Sequence, residues 1–342
     1  MKLLQTPTPL LELHNLPKAL GCKARIFVKC DNTAALGAAG NKLRKLEYLA
    51  TDALEQGCDT LITTGGLQSN HARLTAAVAA RLGLGCELVL GKLVPRTTDN
   101  YTQNGNVLLM RHFGARLHIL ESGQDTKAYA LQRVQQLRKE GRKPYFIPFG
   151  GSSVLGALGY VHCAHEITRQ LAEQKLQANW VFCTAGSGGT QAGLVAGFST
   201  TPTSFTQVQG ISVLFPKQRI VPIVTNLVNG VRLLLNHPPL QDPEQSIWIN
   251  DQFIGAEGYG SITSEGLEAI CLLGKTEGLV LDPVYTGKAF AGLMAAARYS
   301  QWTENTVVVF VHTGGEPGLY AYADVWAEQA DADAHGKQER ST

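Results

Sequence analysis

The chain has 342 residues, of which 44% are hydrophobic and 17% are charged, and its formal net charge is +2. This composition excludes an intrinsically disordered chain, and so small a net charge predicts neither a nucleic-acid partner nor a membrane partner. No apolar run reaches the roughly 20 residues that a membrane-spanning helix needs. The seven cysteines are scattered without a CxxC pair, which is typical of reduced thiols and predicts a cytoplasmic protein.

Predicted strands and helices alternate along the chain. After an extended segment at 6–10, strands are predicted at 24–29, 60–64, 86–90, 116–120, 144–148, 180–183, 208–213 and 306–311. Apolar residues at helical spacing predict helices at 42–56, 70–82, 104–113, 126–140, 156–171, 190–198, 219–235, 264–277 and 286–300. Gly65 and Gly66 are expected to end the strand before them, and residues 238–260 fit no regular element. The alternation predicts an α/β fold with parallel sheets and right-handed crossovers.

Lys42 stands at the start of the first long helix, after a flexible run of alanine and glycine. Asn41 is a favourable N-cap residue and would place Lys42 in the first helical turn. The positive end of the helix dipole disfavours an ammonium there and favours a neutral amine, which is what Schiff-base chemistry requires. The alternative is an ordinary solvated lysine.

A small-residue turn, Ala185-Gly186-Ser187-Gly188-Gly189-Thr190, joins a buried strand to a helix. Backbone N–H groups and the helix N-terminus can converge on one anion at such a turn, and the hydroxyls of Ser187 and Thr190 can add donors. The run lacks the Gly-Lys-Ser/Thr ending of a P-loop. It therefore predicts a site for a single phosphate, with a plain flexible loop as the alternative.

A second strand–turn–helix corner contains Gln68, Ser69, Asn70 and His71. Ser69 or Asn70 can cap the following helix. The corner can equally form a carboxylate pocket, with backbone N–H groups and Ser69 facing a small acid. Spacing alone leaves both interpretations open. His162 and His165 lack the order of a zinc-binding HExxH motif, so no metal site is predicted.

A nucleophilic lysine, a monophosphate site and a carboxylate pocket are what pyridoxal phosphate (PLP) and an amino acid need from a protein. Here the sequence resembles the fold-type II (tryptophan synthase β-like) PLP enzymes, in the group of D-cysteine desulfhydrase and 1-aminocyclopropane-1-carboxylate (ACC) deaminase. The resemblance rests on ordered motifs across residues 7–322, at 40–47, 68–71, 150–161, 185–190, 281–289 and 312–319. It implies two open twisted-sheet domains with PLP in the cleft, residues 1–46 with 166–342 forming the large domain and 47–165 the small one.

The resemblance also implies roles for the residues of each motif. Lys42 would bind the cofactor covalently and move protons, Asn70 would bind its phenolic oxygen, and Thr313 would face its pyridine nitrogen. Residues 185–190 would hold the phosphate. Gln68, Ser69, Asn70 and His71 would contact the substrate, with Ser69 and the nearby backbone holding its carboxylate and Ser69 also having a catalytic role. Tyr259, Tyr285 and Thr286 would lie beside the substrate, the two tyrosines with catalytic roles.

Thr286 bears on which reaction the chain catalyses. ACC deaminases of this group have a glutamate at this position, so the threonine favours β-elimination of D-cysteine to pyruvate, ammonia and hydrogen sulfide. The alternatives are an L-cysteate sulfo-lyase, an ACC deaminase and a catalytically silent homologue that only binds PLP or an amino acid. The resemblance also implies a homodimer. The chain departs from the group at Cys30 and Asn32, within an otherwise Arg-Asp-Asp run, and at Ala39, where glycine is usual.

Overall fold

The structure is a computed structural model that describes residues 2–201 and 204–326. It contains two separate β-sheets. The strands, in chain order β1 to β10, are Leu10–Leu13, Arg25–Cys30, Thr60–Gly66, Gly85–Gly91, Arg116–Leu120, Pro144–Ile147, Trp180–Ala185, Gln207–Ser212, Trp248–Asn250 and Val307–His312. One sheet has the strand order β1-β2-β10-β7-β8-β9 and the other β5-β4-β3-β6. All neighbouring strands run parallel except β1 and β2.

Helices cover both faces of each sheet. In chain order α1 to α13, they are Leu16–Leu20, Lys42–Glu55, Asn70–Leu82, Asp99–Gln103, Asn106–His112, Thr126–Lys139, Val154–Ala172, Gly189–Ser199, Lys217–Leu234, Pro243–Ser246, Ser264–Glu277, Thr286–Tyr299 and Glu316–Ala321. Short 3₁₀ turns lie at Leu36–Ala38 and Phe149–Gly151. No helix in the described ranges is long and apolar enough to cross a bilayer.

Strand β10 shows why the large sheet is buried on both sides. Its six residues are all buried. Val307, Val309 and Val311 pack in one core cluster with α7, α8 and α9. Val308 and Phe310 pack in another with α11 and α12. A continuous apolar run of this kind is what a central parallel strand requires.

The strand of residues 60–64 does not end at its glycines, which corrects the sequence prediction. β3 runs on through Gly65 and Gly66, which pair with Leu90 and Gly91 of β4. The glycines serve close packing: a Cβ on Gly65 would lie 2.6 Å from the Cβ of Ser69. The sequence shows the absence of a side chain but not the neighbour that requires it.

Three other segments differ in detail from the sequence prediction. The helix predicted at 104–113 is α5 and begins only at Asn106, because Asn104 is extended and Gly105 has a φ of 60°; the short helix α4 precedes it, where no helix is predicted. The irregular stretch 238–260 contains α10 and the edge strand β9. The extended segment near Leu10 is followed by β1, an antiparallel edge strand of only four residues.

The carboxyl ends of β3, β7 and β10 lead into the turns that precede α3, α8 and α13. Ligands of open α/β sheets bind at this end of parallel strands. An isolated bridge between Gly40 and Gly314 joins the segment before α2 to the end of β10. The strands of the small sheet lie within residues 47–165 and those of the large sheet lie outside them; the domain boundaries themselves stay a prediction.

Candidate active site

One cavity collects residues from most of the motifs. The predicted residues that line it are Lys42, Ser69, Asn70, His71, Gly186, Ser187, Gly188, Thr190, Tyr259, Tyr285 and Thr313. Its other lining residues are Asn41, Phe149, Gly150, Thr184 and Leu214. Four predicted residues, Gln68, Ala185, Gly189 and Thr286, lie outside this lining.

Lys42 is the first residue of α2 and reaches the cavity wall. Burial removes water from around its ammonium and lowers the pKa of Lys42 to about 8. Desolvation is therefore the cause of the lowered pKa. From the sequence, the helix dipole is instead the expected cause of a neutral amine at this position. The result has the same chemical meaning, because a fraction of the amine is neutral and nucleophilic near neutral pH.

Asn41 precedes α2 but does not cap it with its side chain, which corrects the prediction. Its own backbone is helical, with φ −52° and ψ −21°. The side-chain amide instead donates to Thr190 Oγ1 at 2.9 Å, and the backbone N–H donates to the Thr313 carbonyl at 3.0 Å. Asn41 thus links the start of the Lys42 helix to the small-residue turn and to the end of β10.

The backbone before Lys42 is unusual. Ala38 and Ala39 have φ values of 54° and 34°, which residues other than glycine seldom adopt. The Arg73 guanidinium donates to the Ala39 carbonyl at 2.6 Å. The conformation explains why glycine is usual at position 39 in the group that the sequence resembles.

The small-residue turn opens helix α8. Gly188, with a φ of 86°, occupies the N-cap position and has no side chain to satisfy the first amide groups. Ser187 Oγ lies 2.7 Å from Ser152 Oγ, which also accepts a hydrogen bond from the Gly189 N–H at 3.1 Å. The turn is therefore rigid, and the helix start directs positive potential into the cavity.

Lys45 is a residue that sequence reasoning missed. Its amine donates to Ser152 Oγ at 3.0 Å and to the Gly150 carbonyl at 3.2 Å. A Cβ on Gly189 would lie 2.9 Å from its Nζ. Burial, and then the charge of Lys42, lower its pKa well below the ordinary value. The available signal was its position three residues after Lys42, which places both amines on one helix face.

Ser69 caps helix α3, so the capping interpretation of this corner is confirmed. Its Oγ accepts from the Ala72 N–H at 3.1 Å, and its hydroxyl hydrogen stays available to a carboxylate in the cavity. Asn70 Oδ1 accepts from the Asn106 side chain at 3.0 Å. That bond orients the Asn70 amide so that its N–H₂ group can donate elsewhere.

Gln68 does not line the cavity; its side chain binds the segment that joins α4 to α5. Its amide nitrogen donates to the carbonyls of Tyr101 and Asn104 at 2.6 and 2.9 Å. Its Oε1 accepts from the Asn106 N–H at 2.9 Å. Since these bonds use both ends of the amide, the geometry assigns Gln68 a supporting place, in contrast to the predicted contact with substrate.

The hydrogen bonds of His71 define its tautomer. Thr63 Oγ1 donates its only hydrogen to the Ile147 carbonyl at 2.8 Å and lies 2.9 Å from His71 Nε2. Both bonds form only if Nε2 carries the ring hydrogen, so Nδ1 is a bare acceptor, and it is buried without a partner among the residues that the structure describes. Burial lowers the pKa of His71 well below its ordinary value. A neutral ring with an unpaired lone pair on Nδ1 suits a hydrogen-bond donor better than a carboxylate.

Tyr259 and Tyr285 both line the cavity, and their hydroxyls form a hydrogen bond. Burial raises the pKa of Tyr259 to about 12 and raises that of Tyr285 as well. Both phenols are therefore protonated at neutral pH. One hydroxyl donates within the pair, which leaves the hydrogen of the other for an atom in the cavity.

Thr286 does not reach the cavity, which corrects its predicted place beside the substrate. Its Oγ1 lies 2.7 Å from Asp282 Oδ2 and 2.8 Å from the Asp282 nitrogen. Asp282 also accepts from the backbone N–H groups of Val284 and Tyr285, at 2.9 and 2.7 Å. Thr286 and Asp282 together shape the turn that presents Tyr285.

The chain matches the family described as pyridoxal-phosphate dependent enzyme over residues 1–314. It is 42% identical to a D-cysteine desulfhydrase of Klebsiella pneumoniae over 322 residues, which cover 94% of this chain and 95% of that relative. The chain belongs to the pyridoxal-phosphate dependent enzymes.

Two solved structures resemble this member of the family. One is described as an ACC deaminase homologue, with a TM-score of 0.84 and 36% identity over 96% of this chain and 95% of that one. The other is a hydrogen sulfide-producing enzyme of Fusobacterium nucleatum, with a TM-score of 0.60 and 18% identity over 91% and 96% of the two chains. The second likeness concerns the fold alone. The fold-type II prediction, with PLP as cofactor, is confirmed.

The residues of this family member fit PLP. Thr184 Oγ1 is buried without a hydrogen-bond partner among the described residues, and Thr184 lines the cavity. The start of α8 supplies positive potential for a phosphate, and Lys42 supplies the amine that an aldehyde needs. The assignments of Asn70 to the phenolic oxygen and Thr313 to the pyridine nitrogen stay predictions; both residues line the cavity.

The pKa of Lys42 predicts how the apoprotein takes up PLP. Below a pH of about 8 the amine is mainly protonated and unreactive. We therefore expect the rate of covalent uptake, followed by the absorbance of the bound cofactor, to rise with pH and to level off above pH 8. Lys288, whose pKa is also about 8 but which lies outside the cavity, makes Lys42→Ala a necessary control. A rate that is the same on both sides of this pH contradicts the assignment.

Proposed function

We propose that this protein catalyses the PLP-dependent β-elimination of D-cysteine to pyruvate, ammonia and hydrogen sulfide. The observation that carries the proposal is the pairing of functions in one cavity. Lys42 supplies an amine that can accept a proton, and the tyrosine pair supplies protonated hydroxyls that can donate one. The 42% identity to a D-cysteine desulfhydrase supports the choice of substrate.

The corner at the start of α3 would bind the substrate carboxylate. The Ser69 hydroxyl and the first amide groups of α3 offer hydrogen-bond donors at the positive end of a 13-residue helix. His71 would face a donor instead, because its Nδ1 is a bare acceptor. This arrangement would set the orientation of the amino acid between Lys42 and the tyrosines.

When bound, PLP withdraws electrons from the substrate and makes its α-proton acidic. The neutral amine of Lys42 would accept that proton. A hydroxyl of the Tyr259–Tyr285 pair would donate a hydrogen to the departing sulfur, which avoids release of an unstabilised anion into a buried site. Water then completes the products: cysteine and one water molecule balance pyruvate, ammonia and hydrogen sulfide.

The charges of the cavity favour a thiol leaving group over a sulfonate. Among the described residues that line it, Lys42 is the only one with a formal charge, because His71 is neutral. A sulfonate would need a cation besides the Lys42 amine, which is engaged with the cofactor and the α-proton. L-Cysteate sulfo-lyase activity is therefore the second candidate. ACC deaminase activity ranks below it, since Thr286 places no acid in the cavity.

A product assay with the PLP-loaded protein tests the proposal. D-Cysteine, L-cysteine, L-cysteate and ACC are supplied separately, and each reaction is scored for 2-oxo acid, sulfide and sulfite. We expect pyruvate and sulfide from D-cysteine. Formation of sulfite from L-cysteate, without sulfide from D-cysteine, would make L-cysteate the substrate. Formation of 2-oxobutanoate from ACC would show that the protein is an ACC deaminase. Absence of any product from a protein with a normal cofactor spectrum would favour a silent homologue.

Three broader features stay proposals that rest on the family resemblance and on the composition. We propose a homodimer, a cytoplasmic location, and two domains divided at about residues 46 and 165. Sedimentation of the purified protein would test the first of these. A monomer at assay concentration would contradict it.

A further inference from the structure

Lys288 is a buried lysine outside the cavity that the proposed reaction leaves unexplained. It lies on α12, and its side chain is 0% exposed. Its amine donates to the Ile254 carbonyl and lies 3.5 Å from Ser261 Oγ. Both partners belong to the loop that carries Tyr259.

No described carboxylate forms an ion pair with Lys288. Asp282 is the nearby acid, but its oxygens are used by the Tyr285 turn and by Thr286. Burial of an amine without a counter-ion is costly, and it lowers the pKa of Lys288 to about 8. Its bonds to the loop are therefore the interactions that offset this cost.

The loop from Ile254 to Ser261 has few other attachments. It contains three glycines with left-handed φ values, Gly255 at 91°, Gly258 at 79° and Gly260 at 81°, and no regular element. Ser261 Oγ bonds the Ile254 and Gly258 carbonyls at 3.2 and 2.7 Å, which closes the loop on itself. The contacts of the loop to the rest of the described chain, apart from Lys288, include the hydrogen bond from Tyr322 OH to the Gly260 carbonyl at 3.1 Å and the hydroxyl bond and core packing of Tyr259 itself.

The position of Lys288 connects this loop to the other tyrosine. Helix α12 begins directly after Tyr285, and Lys288 is less than one turn further along the same helix. A single rigid helix start therefore presents Tyr285 and also holds the loop that presents Tyr259. We propose that Lys288 is a positioning residue that fixes the Tyr259 loop against α12 and so maintains the hydroxyl pair in its reactive geometry. This inference rests on the proposed function.

Lys288→Met tests the proposal, because methionine keeps the length and apolar stem of the side chain and removes the amine. Hydrogen exchange of the holoenzyme should become faster for the amides of residues 254–261 and stay unchanged in β3 and β4. We expect kcat/KM for D-cysteine to fall by roughly tenfold to a hundredfold, the usual effect of a misplaced catalytic group. Lys275→Met, an exposed lysine on the neighbouring α11, is the matched control and should change neither quantity.

A double-variant comparison separates positioning from a general loss of stability. If Lys288 acts through Tyr259, Lys288→Met should cause little further loss of kcat/KM in a Tyr259→Phe background. Additive losses, or unchanged exchange of the loop, would overturn the proposal. Tyr259→Phe alone separates the proposed function from the anchoring by Lys288. Full turnover in that variant would reject the role of Tyr259 in the reaction. Faster hydrogen exchange of the loop in Lys288→Met would still support the anchoring by Lys288.

Discussion

Lys42→Ala should lower kcat/KM for sulfide release from D-cysteine by at least about 10³-fold, because it removes both the covalent attachment point and the proton acceptor. The variant should also lose the absorbance of covalently bound PLP, since no other lysine among the described residues lines the cavity. Turnover is followed by sulfide release and attachment by the visible spectrum after dialysis. The two losses should occur together.

Two outcomes of this experiment have different meanings. Retention of both the spectrum and the turnover would reject Lys42 as the reactive lysine. Retention of turnover with loss of the spectrum would reject its role as the proton acceptor. Lys275→Ala is a suitable control, since Lys275 is exposed on α11, away from the cavity.

Arg44→Met should lower the free energy of unfolding by about 3–5 kcal/mol, the usual cost of removing one partner from a buried ion pair. The Arg44 guanidinium binds Asp31 at 2.7 and 2.8 Å and Glu166 at 2.9 Å through two nitrogens. Both acids are buried, and the charge of Arg44 helps hold the pKa values of both below their ordinary values. Without Arg44, Lys29 is the one cation among the described residues that remains to balance the two buried carboxylates.

Urea unfolding measures this effect, and the chain provides a matched control. Arg25 makes an equally regular pair with Glu12, with two contacts of 2.7 Å, but its side chain is 37% exposed. Arg25→Met should cost no more than about 1 kcal/mol, because solvent screens surface ion pairs. Equal losses of unfolding free energy in the two variants would mean that burial does not decide how strongly Arg44 binds Asp31 and Glu166. Since Arg44 lies two residues after Lys42, its ion pairs with Asp31 and Glu166 also anchor the start of α2.

The local elements could be predicted where one segment contains its own signals. Helix α3 matches its prediction at residues 70–82 because apolar spacing, Ser69 and the left-handed Gly83 all mark its bounds. The carboxyl end of β3 could not be predicted in this way, because Gly65 gives room to Ser69 and both Gly65 and Gly66 pair with β4. A pattern in one segment does not report what packs against it.

The same distinction holds in the cavity. Lys42 and the small-residue turn were recognisable from their own patterns, whereas the two tyrosines were predicted only through the family resemblance. Asn41 and Lys45 acquire their places from Thr190 and Ser152, partners more than a hundred residues away. Thr286 stands in a family motif, yet its hydroxyl is bound to Asp282. Motif membership predicted its neighbourhood and not the direction of its side chain.

The product ratio from D-cysteine tests the central claim most directly. Holoenzyme is supplied with D-cysteine, and pyruvate, ammonia and sulfide are measured in the same samples over time. β-Elimination through Lys42 and the tyrosine pair predicts equal amounts of all three from the first turnovers. A 2-oxo acid that retains its sulfur, or pyruvate formed without sulfide, would contradict the account.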